Sequence, residues 1–419
     1  MAAELPRRCD VAVVGGGIVG LACALAVLRR FPDLRLVVVE KEAEVGTHQT
    51  GHNSGVVHAG IYYRPGSLRA KLCVEGARRM RAFCEAEGLP FQQVGKVIVA
   101  TSHEEVPHLE ELFRRGRANG VEGLRWLSPE ELREVEPHAA GVAAIHSPAT
   151  AITDFRAVAR RMAERVAAAG GVVVTSCRLT AGRRLARGFA LETTRGDLQA
   201  DGVLNCAGLH SDHVAWLLGA RAGLRVVPFR GEYYLLRPER RHLVRGLIYP
   251  VPDPRFPFLG VHLTRTVHGE VEVGPNAVLA WAREGYTART VRFPEAFGTL
   301  AYPGFWRLAL RYWRVGLYEL YRSWSRAEFA RSAQRLVPAL EPGDLVRDGS
   351  GVRAQAVALD GSLVDDFRIV VQPGAVHVLN APSPAATASL AIGDYVAELA
   401  AQALELGQHV PQAARPGLS

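Results

Sequence analysis

At 419 residues the chain exceeds what one hydrophobic core ordinarily supports, so two domains, or one domain with a large insertion, are expected. A net charge of +8 favours anionic partners, whether cofactor, carboxylate substrate, nucleic acid or acidic lipid. No run of eighteen apolar residues, no leader or transit segment, and no CxxC or metal spacing among the six scattered cysteines points to a soluble cytoplasmic protein with reduced thiols and no metal.

Asp10 to Val14 is a short apolar run ending at Gly15, and Ile18 to Arg30 is apolar on nearly every side, so a buried strand feeds a buried helix. Leu34 to Val39 adds a second strand and closes a βαβ unit. Gly15, Gly17 and Gly20 spell GxGxxG between strand and helix. Glycines there let the backbone turn tightly and approach a pyrophosphate, with the helix N–H groups from Ile18 onward facing it. Glu40, twenty residues past Gly20 and followed by Lys41, is placed to accept hydrogen bonds from a ribose diol. This fingerprint serves FAD and NAD alike. The segment from Gln49 to Gly60 separates them, because Thr50, Gly51, His52, Asn53, Ser54 and Gly55 form a loop suited to wrapping the pyrophosphate and leading to a flavin ring. An NAD domain would normally continue with another βα unit.

Further along, Ser102 to Glu105 and Ser128 to Glu131 each match a capping box, the second with Pro129 at the first helical position. Asp154 to Ala169 reads as a helix with Val158, Met162 and Val166 on one stripe, passing through Gly170-Gly171 into the strand Val172 to Thr175. Strand Gly202 to Asn205 ends in Cys206-Ala207-Gly208. From there to about residue 335 alternating patterns, such as Glu232 to Leu236 and Glu270 to Val273, mark an antiparallel insertion. Between Pro303 and Arg335, Trp306, Tyr312, Trp313, Tyr318, Tyr321 and Trp324 interleave with seven arginines. That is the composition of an interfacial helix meeting anionic lipid, or of a helix packed over the second domain with solvated arginines. Val376 to Leu379 and a helix from about Ala385 to Leu404 return to the first domain.

With these residues in hand, the chain resembles the D-amino-acid-oxidase superfamily of FAD proteins and, within it, the L-2-hydroxyglutarate dehydrogenases and oxidases, from about residue 9 to residue 395. Seven motifs in order carry the resemblance: HQTGHNSG from His48, HAGIYY from His58, PFRGEY from Pro228, PFLGVHLTR from Pro257, GPNA from Gly274, GVRAQ from Gly351 and NAPSPAAT from Asn380. It implies oxidation of L-2-hydroxyglutarate to 2-oxoglutarate by hydride transfer from C2 to FAD, with electrons passed to a quinone or another acceptor, oxygen included. It also implies cofactor contacts from the backbone near Leu179, from the Ala207-Gly208 turn, from Arg353, and from Asn380, Pro382, Ser383, Pro384 and Ala385 over the flavin ring. The last segment has its own physical reading. Pro and Ser before an Ala-rich helix aim N–H groups at the flavin C2 carbonyl, where negative charge grows on reduction. The fold expected is α/β: a Rossmann-like FAD-binding domain of glutathione-reductase type over 1–90, 153–220 and 336–404, and an inserted α+β substrate domain on an antiparallel or mixed sheet over 91–152 and 221–335. A flexible tail, 405–419, completes the division.

Alcohol oxidation needs a group to take the hydroxyl proton, and histidine suits it because its pKa lies near working pH. His58, directly after the cofactor loop, and His262, in an otherwise apolar strand, are the two candidates. A dicarboxylate needs cationic anchors. Arg230, Arg265 and Arg353 each sit in a motif, with Tyr62, Tyr63 and Tyr233 as hydroxyl partners. Peripheral contact with the inner face of the cell membrane through 303–335 would bring a quinone within reach. The rival readings are an amine or amino-acid oxidase of the same superfamily and an FAD-containing RNA-binding or RNA-modifying protein, though no RNA module is visible.

Overall fold

A computed structural model describes residues 3–253 and 258–406, so Pro257 of the PFLGVHLTR motif and the expected tail from 407 onward lie outside the described residues. The β-branched runs pair as their apolarity on both faces requires. Arg8–Val14 lies between Leu36–Val39 and the C-terminal half of Gly196–Asn205, all parallel. Val172–Val174 extends one side in parallel, and Ala375–Asn380 extends the other before Arg368–Gln372 adds an antiparallel edge. The N-terminal half of Gly196–Asn205 instead joins a meander with Leu179–Arg184 and Phe189–Thr193. Alternation sends Val11 and Val13 to one core, beneath the helices Ile18–Arg30, Phe155–Ala168 and Ala385–Ala403, and Ala12 and Val14 to another with Phe189 and Val214.

The second sheet has nine strands. It is mixed, because Leu247–Pro250 runs parallel to Lys96–Ala100 while its other pairings are antiparallel. A three-stranded sheet of Val56–Val57, Ala151–Thr153 and Phe91–Gln93 lies in the chain segments that connect the two. One expected boundary is corrected. Leu345–Ala358, assigned above to the nucleotide domain, belongs to the second sheet, where twelve of its residues pair with Leu224–Leu236. A ladder of that length outweighs proximity in sequence. The capping boxes also divide. Ser128 and Glu131 satisfy each other's backbone N–H groups as expected. Ser102 caps nothing, because the Glu105 carboxylate accepts instead from the N–H of Thr101 at 2.7 Å.

Helix Ala385–Ala403 packs on the first domain through glycines. A Cβ at Gly393 would stand 2.5 Å from the Ala22 carbonyl oxygen, and one at Gly76, on helix Leu68–Glu87, 2.5 Å from the Ala388 Cα. Backbone cannot yield as a side-chain tip can. Gly393→Ala should therefore lower stability by about 1–3 kcal/mol, read as an earlier urea midpoint with unchanged slope.

Candidate active site

The turn after Arg8–Val14 is built around Gly15, whose φ is +111°. Helix Ile18–Arg30 starts at Gly17 with no side-chain cap, so its N-terminal N–H groups and dipole are directed at the turn. The Ile18 N–H is held by Thr50 Oγ1 at 3.1 Å. Glu40 is buried at the end of its strand, accepting from the Gly16 N–H at 2.7 Å and the Glu42 N–H at 2.9 Å. Each carboxylate oxygen keeps a lone pair for a ribose hydroxyl. Across the turn stands Ala207-Gly208, with Gly208 at φ +53° and close to the Gln49 amide. Leu179, at the start of its strand, packs with Val172 and Ala207 against the same core.

The loop after Glu40 is fastened by its own polar groups. Asn53 donates to the carbonyls of Gln49 at 3.0 Å and Thr50 at 2.6 Å and accepts from the Gly55 N–H at 2.9 Å. Gly55, at φ +68°, presses on Thr153. His52 stacks on Tyr286 and donates through Nδ1 to the Ser350 carbonyl at 3.0 Å. Glu42, His48 and Glu284 converge as three ligands of a metal site would, but Lys41 Nζ stands among them, 2.6 Å from Glu284, 2.7 Å from His48 and paired with Glu42. An ammonium already supplies the cation.

Beyond the loop, His58 is pinned by its backbone. Its N–H donates to Thr387 Oγ1 at 3.1 Å, and its carbonyl accepts from Cys73 Sγ at 3.3 Å. Thr387 lies in the first turn of Ala385–Ala403, which has no side-chain cap and starts after Pro382, Ser383 and Pro384. The His58 backbone thus sits beside a second uncapped helix start. Burial, then the charge of Lys96 and the nearness of His262 and Arg69, hold His58 well below its ordinary pKa. Its Nδ1 is buried with no partner among the described residues. His262 opens the strand His262–Arg265, stacks on Tyr249 with centroids 4.0 Å apart, and donates through Nδ1 to the Gly260 carbonyl at 2.9 Å, leaving Nε2 a free lone pair. Burial, opposed by that bond and reinforced by Arg353 and Lys96, brings it down to about 3. Both rings are neutral at pH 7.

Arg353 lies over the Phe258 ring at 5.3 Å, with no carboxylate partner among the described residues. Tyr233 is close enough for Arg353 to act on its phenol, and the Tyr62 hydroxyl is buried with no partner among the described residues. The Tyr249 phenol hydrogen-bonds Thr264 Oγ1 at 3.5 Å, on the strand that His262 opens.

Other expected residues stand elsewhere. Arg230 is consumed by a buried ion pair with Glu232 at 3.0 Å and by the Thr287 carbonyl. Arg265 is exposed at the end of its strand, three residues from His262 and therefore on the opposite face. Tyr63 carries Arg69 over its ring, and Arg69 in turn holds the Ser383 carbonyl. Asn380 is buried, its amide bracketing the carbonyls of Val364 and Asp366. Sequence reasoning missed Lys96, Tyr249 and Thr387. The signal for Lys96 was a single charge at the head of the apolar run Val97-Ile98-Val99-Ala100.

A glycine turn too tight for side chains, two uncapped helix starts and a buried carboxylate fit an anionic dinucleotide, and the pocket of neutral imidazoles and unpaired cations beside them is that of a flavin oxidoreductase. The FAD dependent oxidoreductase family model matches residues 10–399. L-2-hydroxyglutarate dehydrogenase of Indibacter alkaliphilus is 49% identical over 93% of this chain and 98% of that protein. The mitochondrial L-2-hydroxyglutarate dehydrogenase of Homo sapiens is 42% identical over 95% of this chain and 89% of that protein. Among solved structures, FAD-bound L-alpha-glycerophosphate oxidase from Mycoplasma pneumoniae has the same fold, with a TM-score of 0.77 at 23% identity over 96% of this chain and 95% of that one. The chain belongs to the FAD-dependent oxidoreductase family and, within it, to the L-2-hydroxyglutarate dehydrogenases. Glu40→Ala removes the acceptor for two backbone donors and for the ribose, so FAD should bind about 100-fold more weakly, measured by quenching of FAD fluorescence.

Proposed function

We propose that this protein oxidises L-2-hydroxyglutarate to 2-oxoglutarate, using His58 as the proton acceptor and Arg353 as an anchor for the substrate acid. The observation that carries this reading is one cluster of two neutral imidazoles and a half-buried guanidinium that has no carboxylate partner among the described residues. FAD, when bound, supplies the hydride acceptor. Arg353 and Tyr233 bind the C1 carboxylate and fix the direction in which C2–H points. His58, fastened to Thr387 and Cys73, takes the hydroxyl proton. His262, its tautomer set by the Gly260 carbonyl, walls the pocket opposite.

Anaerobic addition of L-2-hydroxyglutarate should bleach the yellow protein, with the D enantiomer and amines inactive; bleaching by amines alone would overturn the reading. His58→Asn should lower kcat about 100- to 10,000-fold, against a smaller loss for His262→Asn. Because the folded-state pKa of His58 is depressed, the base form is already present at pH 6, and kcat at saturating substrate should stay level from pH 7 down to pH 6. A fall centred on 6.5 would assign the proton to another group.

A second part of the proposal concerns the acceptor. Helix Pro303–Trp324 turns its apolar stripe outward: Trp306, Leu310, Trp313, Leu317, Tyr321 and Trp324 recur at helical spacing and are all exposed, Leu310 to 74% and Trp324 to 82%. Phe293 and Phe297 of the preceding helix continue the patch. Glu319, Arg322 and Ser323 are buried instead. Arg322, Arg331 and Arg335 are tied to Glu319, Glu328 and Glu105, and Arg307 donates to the Leu359 carbonyl, which leaves Arg311, Arg314 and Arg326 to flank the patch. No helix among the described residues is long and apolar enough to cross a membrane. The helix would lie on an anionic bilayer and deliver electrons to a lipid-dissolved quinone. The protein should float with phosphatidylglycerol vesicles and not with phosphatidylcholine, and Leu310→Glu with Trp324→Glu should abolish flotation while leaving turnover with a soluble dye intact. A dimer that the same substitutions dissociate, without vesicle binding, would assign the patch to self-association.

A further inference from the structure

Lys96 is the one cation of this group that no sequence motif selected. It lies at the head of strand Lys96–Ala100, between Ala143–Ser147 and Leu247–Pro250 in the second sheet, and its side chain is 2% exposed. A buried ammonium is costly unless an anion or several acceptors surround it. Here its neighbours are aromatic faces, with Nζ 4.6 Å from the Tyr62 ring centroid and 5.1 Å from that of Tyr249, and no carboxylate reaches it among the described residues. Cation–π contact offsets part of the cost and leaves the ammonium's hydrogen-bonding capacity unused. The hydroxyl of that Tyr62 ring is also buried with no partner among the described residues. A cation and an idle donor on one wall are what an incoming anion requires.

Two cations now face the pocket from different directions. Arg353 enters from the cofactor side, since Gly351, two residues before it, packs so closely on the cofactor loop that a Cβ would stand 2.6 Å from the His52 carbonyl oxygen. Lys96 enters from the body of the second sheet, beneath Tyr249, the ring on which His262 stacks. We propose that Lys96, with the Tyr62 hydroxyl, holds the C5 carboxylate of the substrate, while Arg353 holds C1, so that Lys96 sets the preference for a dicarboxylate over a 2-hydroxy acid with a neutral tail. This rests on the oxidation proposed above only for the identity of the substrate; the anion site itself rests on Lys96.

Burial also brings Lys96 down to about 7, so the free enzyme is divided between ammonium and amine near neutral pH. An anion favours the ammonium, and binding therefore takes up protons. Above pH 7 the free site loses its charge, and affinity for a dicarboxylate falls about tenfold per pH unit. The groups facing Lys96 are the phenols of Tyr62 and Tyr249, the Cys73 thiol on Leu68–Glu87 and the imidazoles of His58 and His262. Burial pushes Tyr62 up, Tyr249 up to about 12 and Cys73 up to about 12, and the imidazoles are already neutral, so none titrates between pH 6 and 9. Glu272, behind Tyr249, is pushed up to about 8 by burial and then by Asp348 and Glu270, and would repel an anion above that pH. Glu272→Gln separates its contribution from that of Lys96.

The test uses FAD-loaded protein and two ligands that cannot react, glutarate and the monoanion valerate, titrated by calorimetry from pH 6 to 9. Wild type should bind glutarate more tightly than valerate, with proton uptake and a decline above pH 7 that survives in Glu272→Gln. Lys96→Met should weaken glutarate about 10- to 100-fold, leave valerate within threefold, and flatten the pH profile. Lys96→Arg, which keeps a charge that does not titrate, should retain binding and lose the decline. In turnover, Lys96→Met should raise KM for L-2-hydroxyglutarate with kcat within a few fold, and should not disadvantage the C5 amide analogue. Unchanged glutarate affinity in flavin-loaded Lys96→Met overturns the proposal, as does equal weakening of glutarate and valerate. A wild type that binds glutarate through Lys96 but does not oxidise L-2-hydroxyglutarate would overturn the substrate reading and leave the anion site standing.

Discussion

A Cβ placed on Gly15 would stand 2.5 Å from the Cys206 carbonyl oxygen, and one on Gly20 would stand 2.0 Å from the carbonyl oxygen of Gly15 itself. Two strand ends and a helix start are therefore seated against each other with no thickness of side chain between them. That contact lies where the neighbours of Arg8–Val14 diverge, Leu36–Val39 leading one way and Gly196–Asn205 the other. Such divergence opens a crevice at the carboxyl ends of the strands. Because the approach is backbone on backbone, it fixes the helix axis, the Glu40 carboxylate and the Ala207-Gly208 turn relative to one another. The loop carrying Thr50, Ser54 and His58 then reaches across to the second sheet from a rigid base.

The pocket at the end of that loop departs from the ordinary economy of a protein interior. Three interior arginines follow that economy and are paired: Arg230 with Glu232, Arg283 with Asp212, Arg322 with Glu319. Lys96 and Arg353 face rings instead. Burial first, then Lys96 at both rings and Arg353 at His262, keeps the histidines unprotonated, so the cations that would attract an acid also preserve the base that would attack it. Such an arrangement sacrifices stability in the free state for affinity and reactivity in the occupied one.

Much of this was legible in the residues, for reasons that differ from part to part. The nucleotide unit could be read because its signals are local: a glycine triplet, an apolar run on either side, and a carboxylate at fixed spacing. Helix Phe155–Ala168 could be read from a stripe of Val158, Met162 and Val166 that is buried throughout. The strand Leu345–Ala358 could not, since Arg347-Asp348-Gly349-Ser350 looks like a loop and its partner lies more than a hundred residues earlier. Arg230 and Arg353 sit in equally suggestive motifs, and only the side chain of Glu232, folded back beside Arg230, tells them apart. Lys96 was invisible because a lysine before an apolar run normally marks the wet end of a strand. The outward stripe of Pro303–Trp324 was visible as composition, but its direction was not.

Helix Ala385–Ala403 packs on Ile18–Arg30 and Leu68–Glu87 through Gly393 and Gly76, and its first turn holds the backbone of His58. Synthesis on the ribosome runs from the other end. Until helix Ala385–Ala403 emerges, helices Ile18–Arg30 and Leu68–Glu87 lack the surface they share, and the histidine loop lacks one of its two fastenings. The clasp on the first-made part of the domain therefore closes only when this late helix is in place, and loss of the helix opens it.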